Sequence, residues 1–230
     1  ESAVYETQLV SWSPGETETF KAMLPTNNSV FRKDYTLGAA TPRNRVAAAV
    51  IHNLLQAPYY SELRTRQQLG YVVWSFTFDR EDEVKLGYLI QSGDYDPVEL
   101  LERSDAYVAQ LPELLRNFSA EEFAKAKDAV RSELKKEDKT IAEKASRFFD
   151  LAYEHGANWS RQEAALDALE TLQQEDVVQI FEQTFIPENQ RYQLVMLFAR
   201  QEAERYAETS GVEDINAWKT SRQFRVPEQI

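Results

Sequence analysis

Arg64, Arg66 and Tyr71 fall within the run Leu63-Arg64-Thr65-Arg66-Gln67-Gln68-Leu69-Gly70-Tyr71, and they are the side chains best suited to chemistry in this sequence. A guanidinium offers a fixed fork of donors to carbonyl or carboxylate oxygens, and a phenol donates one more hydrogen bond to an oxygen that gains charge. Arg64 and Tyr71 are seven residues apart, about two helical turns by count, so both can project toward one cleft. The plainer alternative is a surface helix whose arginines pair with Glu62 or with the acidic surface at large.

Other chemistries are poorly supplied. His52 and His155 are the only histidines and there is no cysteine, so thiolate sites and cysteine nucleophiles are excluded. A hydrolytic zinc site commonly uses a histidine pair one helical turn apart, and no such pair occurs. Leu151-Ala152-Tyr153-Glu154-His155 imitates the inverted zinc motif H-x-x-E-H, but Leu151 stands where the first ligand belongs. His155 therefore reads as a helix-end histidine favoured by the macrodipole, and His52 as a partly buried, hydrogen-bonded imidazole inside a helix. No G-x-S-x-G elbow, G-x-G-x-x-G or P-loop appears among the seven glycines. The sequence supplies no catalytic centre of its own and no metal site.

Periodicity sets the elements that must hold these residues. Phe20 to Leu24 and Val30 to Leu37, separated by Pro25-Thr26-Asn27-Asn28, suggest two antiparallel strands joined by a turn. Thr41-Pro42 opens a buried helix that should end before Pro58, and Tyr60 to Leu69 reads as a second helix stopped by a left-handed Gly70. Tyr71 to Asp79 alternates, with Val72, Trp74, Phe76 and Phe78 on one face; Lys85 to Ser92 returns as the partner of a hairpin. Four capping-box pairs follow: Ser119 with Glu122, Thr140 with Glu143, Ser160 with Glu163, and Thr171 with Gln174. Tyr192 to Ala199 supplies a last strand. Strands at both ends with helices between them give an α+β fold, a largely antiparallel sheet covered on one face by helices. Residues 1–17 read as a lead-in segment or linker, 18–200 as the α+β domain, and 201–230 as a surface tail of the same domain.

The formal charge of −12 repels phosphate backbones and anionic lipid, so nucleic acid and membranes are not expected partners. No apolar run approaches the length of about 18 residues that a membrane-spanning helix needs. A start at Glu1 without methionine or leader suggests a processed product or an excised piece, with further sequence expected upstream.

The run Leu63 to Tyr71 is similar to the L-R-T-x-E-Q-L-G-Y signature in the C-terminal half of insulysin/pitrilysin-type (M16) zinc metallopeptidases. The resemblance extends over Pro58-Tyr59-Tyr60, the Val72 to Phe76 strand and Leu89-Ile90-Gln91-Ser92, about residues 54–93 in all. It departs at Gln67, where many members carry glutamate; if that carboxylate orients the arginines, their fixation here is weaker. The resemblance implies the fourth of four similar α+β domains, which close in two halves around a peptide-sized chamber. It implies zinc bound in the parent protein's N-terminal domain, with Arg64 and Tyr71 completing that site from the opposite half as auxiliary catalytic and substrate-binding residues. The implied partners are the N-terminal half of the same peptidase and peptide substrates. Alternatives are a catalytically silent structural or assembly subunit of a two-chain relative, and a free-standing peptide-binding module. The compartment is open; the likeness favours the bacterial periplasm over the cytoplasm.

Overall fold

A computed structural model describes residues 8–227, apart from the side chain of Glu154. The first seven residues of the lead-in segment and the last three of the tail lie outside the described residues. In chain order the elements are β1 (Leu9–Val10), β2 (Thr17–Met23), β3 (Ser29–Ala39), α1 (Pro42–Tyr60), a π-helical turn (Ser61–Arg66), β4 (Val72–Arg80) and β5 (Glu83–Ser92). There follow α2 (Pro97–Val108), α3 (Leu111–Asn117), α4 (Ala120–Leu134), α5 (Ile141–Phe149), a second π-helical turn (Asp150–Glu154), α6 (Arg161–Thr171) and α7 (Gln174–Thr184). The chain closes with β6 (Tyr192–Phe198), α8 (Ala203–Glu208), α9 (Ile215–Thr220) and β7 (Phe224–Arg225).

Five strands form one sheet in the order β2-β6-β3-β5-β4, and β1 pairs with β7 in a separate ribbon. Every pairing in the large sheet is antiparallel except that of β2 with β6. β2 and β3 are therefore not the expected neighbours, because β6 lies between them. The reason is readable in composition: β6 is apolar on both faces, with Leu194, Met196 and Phe198 on one and Val195 and Leu197 on the other, as suits an interior strand. β2, with polar residues at alternate positions, suits an edge.

Helices cover one face of the sheet. Val73, Leu86, Tyr88, Ile90, Phe31, Tyr35, Leu194, Met196 and Phe198 point into the core, where they meet α1 and the buried residues of α2, α3, α4, α6 and α7. The covered side of β4 is thus that of Val73 and Ser75, while Trp74 is 61% exposed on the other. α1 does not end before Pro58 but continues through it to Tyr60. An interior proline costs about 3 kcal/mol. Here Tyr59, fully buried against Tyr88 and hydrogen-bonded to Ser104 at 2.9 Å, offsets that cost with burial of comparable size, about 2–3 kcal/mol.

The Ser119–Glu122 and Thr140–Glu143 capping boxes form as expected. The other two do not. The Ser160 hydroxyl bonds the Asn158 side chain instead of the helix, and Thr171 closes α6, its hydroxyl bonded to the Ala168 carbonyl. Gln174 is diverted to the carbonyls of Leu115 and Phe118, each at 2.9 Å. The well-capped α5 buries no residue; it stands over a cleft of about 1030 Å³, and Phe149 at its end and Tyr153 in the turn after it are 57% and 75% exposed. At the far edge Trp218 packs edge-on against Phe20, and its indole N–H reaches Glu18, which also meets Arg222.

Candidate functional site

The connection from α1 to β4 carries the Leu63–Tyr71 run. Leu63 and Leu69 are both fully buried and act as its two anchors, and the Leu69 amide closes the span by donating to the Leu63 carbonyl at 2.9 Å. Between them the chain forms a wide turn in which the Gln67 amide donates to the carbonyl of Glu62, five residues back, at 2.9 Å. The Glu62 carboxylate accepts both from Arg66 at 3.0 Å and from the Gln67 side-chain amide at 3.0 Å. Arg66 is thus paired with Glu62, the plainer alternative for these arginines. Arg64 is half-buried and makes no ion pair or side-chain hydrogen bond among the described residues.

The residue that takes the left-handed conformation after this turn is Gln68, at φ 55°, and not Gly70. Gly70 is required for a different reason: a Cβ there would lie 2.0 Å from the Gln91 carbonyl oxygen. With nothing but hydrogen in that space, the chain passes tightly over β5 and the Tyr71 amide donates to the same carbonyl at 3.0 Å. Tyr71 therefore has a pinned backbone and a side chain 84% exposed, its phenol without a partner among the described residues. The helical spacing expected to relate Arg64 to Tyr71 does not exist, because the helical turn ends at Arg66. What relates them is the pair of leucine anchors and the glycine contact.

Two neighbours complete the surroundings of the turn, of which the sequence reading names Glu62 and not Tyr107. Tyr107 on α2 lies near this turn; burial raises its phenol, the Glu62 carboxylate raises it further, and Arg66 opposes both. Glu62 itself holds the turn by its side chain, and its i, i+4 spacing to Arg66 was the available signal.

Neither histidine belongs to a metal constellation, and no group of three or more His, Cys, Asp or Glu suited to a metal ion occurs among the described residues. His52 is half-buried on α1 and held below its ordinary pKa by that burial. Its Nδ1 has no partner among the described residues, where a hydrogen bond was expected. His155 does end a helical turn, but burial, then Arg161 and Arg45, disfavour its protonated form. These outweigh the attraction expected of a helix C-terminus. Leu151, in the decoy position, lines the cleft beside α5.

The chain is similar to several known proteins. The family described as "PQQ synthase PqqF-like, C-terminal lobe domain 4" matches residues 50–149. Protease 3 of Salmonella typhi is 33% identical over 100 residues, which are 44% of this chain and 10% of that protein. The A-factor-processing enzyme of Saccharomyces cerevisiae is 24% identical over 178 residues, 73% of this chain and 17% of that protein. The chain thus spans about a tenth of the length of its Protease 3 relative. In fold it superposes on the crystal structure of pitrilysin with a TM-score of 0.86, covering 99% of this chain and 25% of that one at 20% identity. The protein is an α+β domain with the fold seen in pitrilysin. More narrowly, residues 50–149 are similar to that C-terminal lobe domain, and a stretch of 100 residues is similar to Protease 3.

Proposed function

We propose that this domain closes the peptide chamber of a zinc metalloendopeptidase and lends Arg64 and Tyr71 to a zinc site held by another domain of the same protein. The observation that carries the reading is the contrast along one connection: Arg66 is paired, whereas Arg64 and the exposed Tyr71 phenol keep their donors unspent among the described residues, the Tyr71 backbone being pinned at Gln91. Donors carried on a held backbone and not used by the fold are what an oxyanion-stabilising arrangement draws on. In this reading Arg64 fixes a backbone carbonyl of the peptide, and Tyr71 donates to the oxygen that gains charge as the scissile carbonyl is attacked. Zinc, bound elsewhere, supplies the polarisation and the activated water.

Tyr71→Phe in the parent peptidase should lower turnover by about a hundred- to a thousandfold, the usual cost of one oxyanion donor, with the melting temperature unchanged. Arg64→Ala should also weaken peptide binding. Normal turnover by the first variant, or an unchanged specificity constant in the second, removes the role. An H-x-x-E-H motif encoded upstream separates this reading from a silent assembly subunit, which would lack it.

A further inference from the structure

We propose that Glu62 is the positioning residue of this site, its carboxylate being the side-chain lock that fixes the turn between Arg64 and Tyr71. The inference rests on the reading of Arg64 and Tyr71 given above. From Arg66 to Tyr71 the chain must leave a wide turn, pass through a left-handed Gln68, bury Leu69 and slide Gly70 beneath a carbonyl. Backbone hydrogen bonds close this path at Glu62, Leu63 and Gln91. Of the outward side chains, Arg64, Thr65 and Gln68 make no hydrogen bond or ion pair among the described residues. Among the side chains of the described residues, only that of Glu62 ties the start of the turn to its end, through Arg66 and Gln67 at 3.0 Å each.

Burial decides which of the two bonds matters more. The Glu62 side chain is only 15% exposed, whereas Arg66 is 80% exposed, so water competes strongly for the guanidinium. The Gln67 amide, half-buried, holds the shielded carboxylate. This chain has an amide at Gln67 and the acid at Glu62, in direct contact. An acid–amide bond survives exchange of its two ends. The lock therefore predicts that swapping the residues restores what a single substitution removes.

The test measures hydrogen exchange of the Leu69 and Tyr71 amides in the 230-residue chain. E62Q should raise both rates by roughly tenfold, the scale of a lost charge-assisted hydrogen bond. Q67E, which sets two carboxylates against each other, should be at least as fast. E62Q/Q67E should return to the wild-type rate. An unchanged rate in E62Q, or no recovery in the double variant, overturns the lock. In the parent peptidase kcat should fall and recover through the same series with little change in KM. Exchange that follows the series while kcat does not would leave Glu62 a structural residue only and overturn its positioning role. Exchange that follows the series while Tyr71→Phe costs no turnover would instead overturn the reading of the site and leave the lock standing.

Discussion

Replacing Gly70 by alanine adds a carbon 2.0 Å from the Gln91 carbonyl oxygen, 2.8 Å from the carbon of that carbonyl and 3.2 Å from Ile90 Cγ2. Non-bonded carbons settle at about 3.5 Å or more, so the connection and β5 must part by roughly an ångström. Such overpacking costs about 1–3 kcal/mol. The displacement also stretches the Tyr71 N–H bond to Gln91, worth about 1 kcal/mol. The expected loss is about 2–4 kcal/mol, read from the urea midpoint at unchanged m-value. Gln68→Gly is the companion. A non-glycine residue at φ 55° costs about 1–2 kcal/mol, and the extra freedom of an unfolded glycine takes back about 0.5–1 kcal/mol. The variant should therefore gain roughly 0.5 kcal/mol. A Gly70→Ala protein within about 0.5 kcal/mol of wild type would refute the steric argument. A destabilised Gln68→Gly protein would show that the left-handed residue had been misplaced.

Two further outcomes follow from buried groups. Lys33 is 7% exposed and reaches Asp105 at 2.8 Å beneath the rings of Tyr35 and Tyr192, so Asp105→Ala strands its ammonium. The expected cost is about 2–3 kcal/mol, below that of a fully buried pair because Asp105 is 40% exposed; adding Lys33→Met should recover most of it in the same urea titration. Burial holds His52 below its ordinary pKa, so as pH falls through about 6.5 the unfolded chain takes up a proton that the folded chain refuses, and stability drops. His52→Leu should flatten that part of the stability curve between pH 7.5 and 5.5 while leaving the share due to His155. A curve as steep as wild type would rule out His52 as its source.

Local pattern carried most of the elements. The β4–β5 hairpin, the α4 and α5 caps and the apolar stripe from Val108 to Val130 all follow from spacing and cap chemistry within a few residues. What spacing does not carry is adjacency in space. Nothing in β2 or β3 announces that a strand some 160 residues downstream will separate them, since alternation marks faces and not neighbours. Pro58 was misjudged for a related reason: the local cost of proline is visible in the sequence, but the burial of Tyr59 against Tyr88 that offsets it is tertiary.

The connection from Leu63 to Tyr71 shows the same limit at finer scale. Its residue types pointed to donor chemistry, yet the helical count relating Arg64 to Tyr71 had no helix to act through. Gly70 was read as a conformational glycine when it is a steric one, a distinction that depends on the Gln91 carbonyl and so on a strand twenty residues away. Conversely, a pairing that is short-range by nature, Glu62 with Arg66, was open to view as the bland alternative. Pairing Arg66 does not weaken the functional reading. It engages Arg66 and leaves Arg64 unpaired among the described residues, so one carboxylate separates the two guanidiniums into a paired one and an available one.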